Sequence, residues 1–209
     1  MTLFITLLFF IAQFAKANVV DTLNNPFVKY SPLWNQTKYK HCNTAAAVSY
    51  LTDEEKKIIW ALNMIRLSPQ LYCKTILLNP KSPFYLKPAQ RDYYFNSLIN
   101  DLNKSTPNNN FLQPDSMAFI SAQCHAYYSG IKGYVGHERS VTLCKGDFYG
   151  ECCDYGYNDA VSILTHLLID KNISDLGHRN ICLSKSYSLL GTSIQPHRDY
   201  YMNTVLDFK

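Results

Sequence analysis

The chain has 209 residues, a formal net charge of +4 at pH 7, 47% hydrophobic residues and seven cysteines. That length suits one domain with room for a real core. The mild positive excess comes without a Lys/Arg run, so no nucleic-acid partner is expected, and beyond the N-terminus no stretch has the length and apolarity of a membrane span.

In chain order, the first feature is an apolar stretch from Leu3 to Phe14 followed by Ala15-Lys16-Ala17. This is the pattern of a signal peptide over residues 1–17, with a small-x-small cleavage site, although its n-region carries no lysine or arginine. The stretch is too short for a spanning helix, which needs about 20 apolar residues. A secreted, extracellular protein is the expectation. Cleavage after Ala17 removes Lys16 and leaves 19 basic against 16 acidic residues. The terminal "LDFK" matches neither a lipid-anchor signal nor an ER-retention tetrapeptide. Three glycosylation sequons, at Asn35, Asn103 and Asn172, agree with that compartment, though such tripeptides also arise by chance.

Residues 18–50 show no period and read as an extended N-terminal arm. A helix starts at Thr52, whose capping box with Glu55 precedes Ile58, Leu62 and Ile65 on one face; Pro69 marks its end or a kink. A second helix is predicted within residues 88–104. A third opens near Pro114-Asp115, with Gly130 and Gly133 as stop signals. Residues 134–157 hold four glycines and three cysteines without helical period, which predicts a functional or cross-linked loop. A fourth helix follows Asn158 as N-cap. The last segments, 188–197 and 200–208, alternate as two strands around a tight His-Arg-Asp connection. Helices first and an antiparallel hairpin last predict an α+β fold.

Cys42, Cys73, Cys124, Cys144, Cys152, Cys153 and Cys182 contain no C-x-x-C pair, so in an oxidising compartment they read as bridges rather than metal ligands. Seven cysteines form at most three bridges. Adjacent Cys152 and Cys153 do not suit each other, because disulfides want Cα atoms about 5.5 Å apart. One of them closing back to Cys144 is the pairing expected.

Several phrases, in this order, carry a resemblance: "LNMIRLSP", "AQCHAYYSG" running into "GHERS", "GEC", "LLIDKNISDLGHRN" and "YSLLGTSIQPHRDYYMNTVLDF". Over residues 51–209 the chain resembles the CAP superfamily (cysteine-rich secretory, antigen 5 and pathogenesis-related 1 proteins, or SCP domains), and within it the bacterial- and protist-type branch. The resemblance implies a three-layer α-β-α sandwich with a central cavity of two histidines and two acids. Carried over by motif, these are His137, Glu151 and His178, with Asp170 where many relatives have a glutamate. Aspartate is one methylene shorter, and Cys152 replaces the asparagine of the family's Gly-Glu-Asn. Glu138 competes as the fourth acid, but its position beside His137 points it away. Some relatives bind sterols or fatty acids, and others act on extracellular targets as toxins or defence proteins. The fold does not determine which.

The residues alone allow three chemistries. Neutral His137 and His178 beside carboxylates could hold Zn²⁺ or another divalent cation with open positions. A histidine, or Glu151, could act as a base toward water in a hydrolase, so His137, Glu151 and His178 are also the catalytic candidates. Or the cluster ties helices to sheet. A zinc protease's H-E-x-x-H starts at His137 but fails at Val141, and there is no G-x-S-x-G elbow or Walker-type loop. His125 and His166 read as packed or surface side chains and His197 as a turn residue, which the resemblance makes a candidate for the cavity rim. Arg179 reads as a carboxylate partner or a solvated charge. The 16 tyrosines suit either a binding surface or a packed core.

Overall fold

The computed structural model describes residues 24–139 and 144–209; the leader expected over 1–17 lies outside them. The chain is mixed helix and sheet, as an α+β fold requires. Residues 24–50 depart from the expected extended arm. They form a 3₁₀ turn at Pro32–Trp34, the one-turn helix α1 (Thr37–Lys40) and further turns. Phe27, Trp34, Tyr39, Cys42 and Ala45 are buried in the main core. The indole N–H of Trp34 donates to Thr75 Oγ1 (2.9 Å), and that of Trp60 to the Tyr39 carbonyl (2.7 Å). A segment that wraps a helix buries whichever side chains fall inward, so its anchors need not be periodic.

Helix α2 (Asp53–Leu67) begins at the predicted capping box, with both reciprocal hydrogen bonds of Thr52 and Glu55 present. Ile58, Leu62 and Ile65 are buried, but so is every residue from Ile58 to Arg66. Over this stretch the helix is enclosed on all sides. The second carboxylate oxygen of Glu55 accepts the Ile194 N–H (2.9 Å), which ties α2 to the sheet. Ser68 leaves helical geometry and Pro69 opens the short α3 (Pro69–Tyr72), which runs into a wide turn at Cys73–Leu77.

Helices α4 (Tyr93–Lys104) and α5 (Ser116–Lys132) fill their predicted windows, capped by Asp92 and Asp115. Gly133 ends α5 in the left-handed region, φ 66°. Gly130, expected as another stop, lies inside the helix; a Cβ there would meet the Pro196 carbonyl oxygen at 2.1 Å. Helix α6 (Ala160–Ile169) starts one residue later than expected, because Asp159 rather than Asn158 accepts the capping hydrogen bond from Ser162 N–H (3.0 Å). The two side chains are near-equivalent caps, so composition cannot choose between them. Helix α7 (Gly177–Leu183) completes the set.

Strands β1 (Gln113–Pro114), β2 (Gly150–Tyr155), β3 (Leu189–His197) and β4 (Tyr201–Phe208) form one sheet in the order β1-β3-β4-β2. The predicted hairpin is β3–β4; β1 pairs parallel to β3, and β2 antiparallel to β4. Strand β2 lies inside the segment expected to be irregular. Its "GECCDY" does not alternate apolar and polar, since each face carries a carboxylate. Register places Glu151 opposite Asp207 and Asp207 opposite Gly191, so these three share one face. Helix α5 lies on that face, so near that a Cβ on Gly191 would come within 2.0 Å of Phe119 N. Cys152 and Leu206 point the other way and join the core built by α2 and α6.

One disulfide corrects the expected pairing. Cys144 bonds Cys124 of α5, with Cα atoms 5.1 Å apart, while Cys152 and Cys153 are buried thiols in β2. The loop after α5 folds back over that helix, not over the strand.

Candidate functional site

Helix α7 presents His178, and the loop after α5 presents His137. Their ring centroids lie 5.7 Å apart with planes inclined by 36°. His137 Nδ1 is 2.9 Å from Glu151 Oε1, and His178 Nδ1 is 2.8 Å from Asp170 Oδ1. The four residues picked from the sequence are therefore neighbours. Asp170 reaches despite its length because it is the C-cap of α6, turned into the left-handed region at φ 55°. Its other oxygen accepts the Arg179 N–H (3.2 Å).

Ionised carboxylates only accept hydrogen bonds, so each ring donates from Nδ1 and keeps a lone pair on Nε2. This is how carboxylates orient histidines for a metal. The His137 side chain is 55% exposed and that of His178 is 17% exposed, so the pair opens to solvent on the His137 side.

Behind the pair lies Arg139, two residues beyond His137 and not singled out by sequence reasoning. Its guanidinium bridges Glu151 Oε2 and both oxygens of Asp207, and it donates to Ser121 Oγ and the carbonyls of Ser121 and Cys144. The Ser121 hydroxyl also donates to Asp207. The legible signal was Asp207 itself, a carboxylate amid the apolar alternation of the last strand.

These contacts set the protonation states. The hydrogen bond to Glu151 raises the pKa of His137, against the opposing effect of burial. Burial pushes Glu151 up, but the His137 bond and the Arg139 charge outweigh it and hold the carboxyl below its ordinary range. Asp207 is pushed up to about 7, chiefly by burial.

A second group adjoins the first. His125, Glu151 and Cys153 each offer a ligand atom, all within 4.8 Å of one another, and this buried His/Glu/Cys group could hold a metal ion. Cys153 Sγ also lies 3.7 Å from His137 Nδ1. His125, expected as a packed or surface side chain, is buried in α5 with Nε2 at 3.0 Å from the Gly136 carbonyl oxygen. Burial lowers its pKa and raises that of Cys153 well above the ordinary thiol range. The imidazole is thus ready to ligate, whereas the thiol would first lose a proton. Glu151 would also have to share its oxygens with His137 and Arg139. The donor chemistry of this group fits a divalent ion once the thiol is deprotonated.

The other candidates take structural places. Glu138 is exposed and its N–H donates to the Tyr134 hydroxyl. His166 pairs with Asp154. His197 is buried, bonding the Tyr134 carbonyl through Nε2 and accepting the Asp199 and Tyr200 N–H groups at Nδ1. Arg179 is buried and satisfied: it bonds Ser97, Asp101 and the carbonyls of Tyr94, Leu168 and Ile169. Asn35, Asn103 and Asn172 are all exposed. No helix among the described residues is long and apolar enough to cross a membrane. Compared with models of known protein families, with curated proteins and with solved structures, the chain matches none.

Proposed function

We propose that the chain is a secreted, glycosylated CAP-superfamily protein, an α-β-α sandwich that acts by binding, with His137, Glu151, Asp170 and His178 as its cavity residues. One observation carries this reading. Two histidines from separate elements face each other at 5.7 Å, each held through Nδ1 by a carboxylate from a third or fourth element. Among the described residues the hydrogen bonds of both rings are made through Nδ1, more than a simple tie of helices to a sheet requires. His137 and His178 would hold a divalent cation such as Zn²⁺, which when bound supplies open coordination positions for an oxygen or nitrogen of a ligand. The protein's part is to orient both rings, to keep Nδ1 protonated and to neutralise Glu151 with Arg139.

The rival reading is a hydrolase in which Glu151 or a histidine activates water. Glu151 is poorly suited as that base: its pKa is held below the ordinary range, and its oxygens are engaged by His137 and Arg139. A specific feature favours a lipid ligand in addition. A cleft of about 670 Å³, lined by Trp60, Val161, Lys29, Lys40, Glu54 and Asp159 among others, lies apart from the histidines. Its apolar walls suit the hydrocarbon part of a fatty acid or a sterol.

Calorimetric titration of the mature protein with Zn²⁺ at neutral pH tests the central claim. Saturable uptake in the wild type, lost in His137→Ala/His178→Ala, is the expected result. Uptake that survives this change but is lost in Cys153→Ala would move the ion to the His125/Glu151/Cys153 group. No uptake by the wild type would reduce the cluster to a structural tie.

A further inference from the structure

Cys152 and Cys182 meet where the two halves of the site join. Cys152 lies in β2, next to Glu151; Cys182 lies in α7, one turn beyond His178. Their sulfurs are 4.0 Å apart, and both residues are wholly buried. The other polar neighbour of Cys152 Sγ is the His178 carbonyl oxygen at 3.7 Å. Strand alternation separates Cys152 from its neighbour: Cys153 points to the α5 face, 3.7 Å from His137 Nδ1, and Cys152 points to α7. Cys124 and Cys144 are already joined. Of the thiols near α7, Cys152 is therefore the one presented to Cys182.

We propose that Cys152 and Cys182 form a second disulfide in the mature protein, stapling β2 to α7 and so locking Glu151 and His178 in one frame. The bond needs an S–S distance of about 2.05 Å, so the two sulfurs, 4.0 Å apart as thiols, close on each other by side-chain rotation. This inference rests on the reading that the chain passes through an oxidising compartment. Both thiols are wholly buried and inaccessible to an oxidant once α7 has docked, so the bond forms during folding.

The oxidant is a protein disulfide of the thiol–disulfide oxidoreductase class. One cysteine thiolate attacks that disulfide, forming a mixed disulfide and releasing the carrier's first thiolate. The second cysteine thiolate then attacks the mixed bond, releasing the carrier's other thiolate. The chain loses two protons and two electrons; the carrier gains both and leaves as a dithiol. Cys153 stays outside this bridge, free beside the histidines.

The test uses full-length protein secreted from eukaryotic cells, denatured in acid with N-ethylmaleimide and no reductant, then digested and analysed by mass spectrometry. The expected result is a Cys152–Cys182 linked peptide pair, lighter by two hydrogen atoms than its free components. The link should persist in Cys153→Ser and vanish in Cys152→Ser; fragmentation of the wild-type pair decides between the adjacent cysteines if a variant does not fold. Cys124–Cys144 is the internal control. If that bond is present while Cys152 and Cys182 are both alkylated, the staple is refuted and the secretory reading stands. A link from Cys182 to Cys153 also refutes it. If no bond is found at either pair, the oxidising compartment fails with it.

Discussion

Arg139 organises the acids behind the histidines. It lies between Glu151 and Asp207, both buried, on one face of the sheet. Two carboxylates cannot both ionise in a buried site without such a cation. In Arg139→Gln the Glu151 pKa should rise, followed by carbon-detected NMR titration, and stability should fall by about 3 kcal/mol. An unchanged Glu151 titration would mean that His137 alone holds the carboxylate. Arg179 offers a contrasting case, a buried guanidinium whose five hydrogen bonds clamp α4 to the end of α6. Arg179→Met should cost about 3 kcal/mol or more in chemical denaturation, because it orphans buried carbonyls.

The elements depend on close packing of α5 against the sheet. Gly130 and Gly191 set that distance: Cβ atoms there would fall within about 2 Å of backbone atoms of Pro196 and Phe119. Backbone cannot rotate aside as a side chain can. Gly191→Ala should therefore push α5 outward and destabilise the protein by about 3 kcal/mol. It should also weaken the contact of Ser121 with Asp207, and with it the Arg139 network. A thermal midpoint equal to that of the wild type would show that α5 has freedom the packing does not suggest. Strand β2 illustrates how burial can conceal an element. Glu151 and Asp154 lie on opposite faces, each paired with a histidine from elsewhere, so no binary pattern remains for sequence reading to find.

At the scale of the whole molecule, pH dependence sums these sites. Asp207 faces Ser121 of α5, Arg139 of the loop and Glu151 of β2, and its pKa stands at about 7. A carboxyl raised above its unfolded value of about 3.9 binds its proton more tightly when folded. Its contribution to stability is complete below the unfolded pKa and is lost as pH rises through about 7. Glu151, held low, works in the opposite sense, adding stability above its unfolded pKa and losing it in acid. Between pH 5 and 8 the wild type should thus lose stability relative to Asp207→Asn, which mimics the protonated carboxyl. Denaturation midpoints at the two pH values measure this; parallel changes in both proteins would remove Asp207 as the source.

By itself the sequence determined the long helices, the C-terminal hairpin and four residues that prove to be neighbours. The signals were local: the Thr52–Glu55 box, the helix start near Pro114-Asp115, the alternation from Ser188 onward, and short phrases around His137, Glu151 and His178. Local chemistry is legible because it depends on a few adjacent side chains. Tertiary structure decided the rest. It drew residues 24–50 into the core, made a strand of "GECCDY" and joined Cys124 to Cys144. It also placed Arg139 between two acids far apart in the chain, and it brought Cys152 to Cys182. In each case the partner lies on another element, and only the packing of whole helices against the sheet sets which side chains meet.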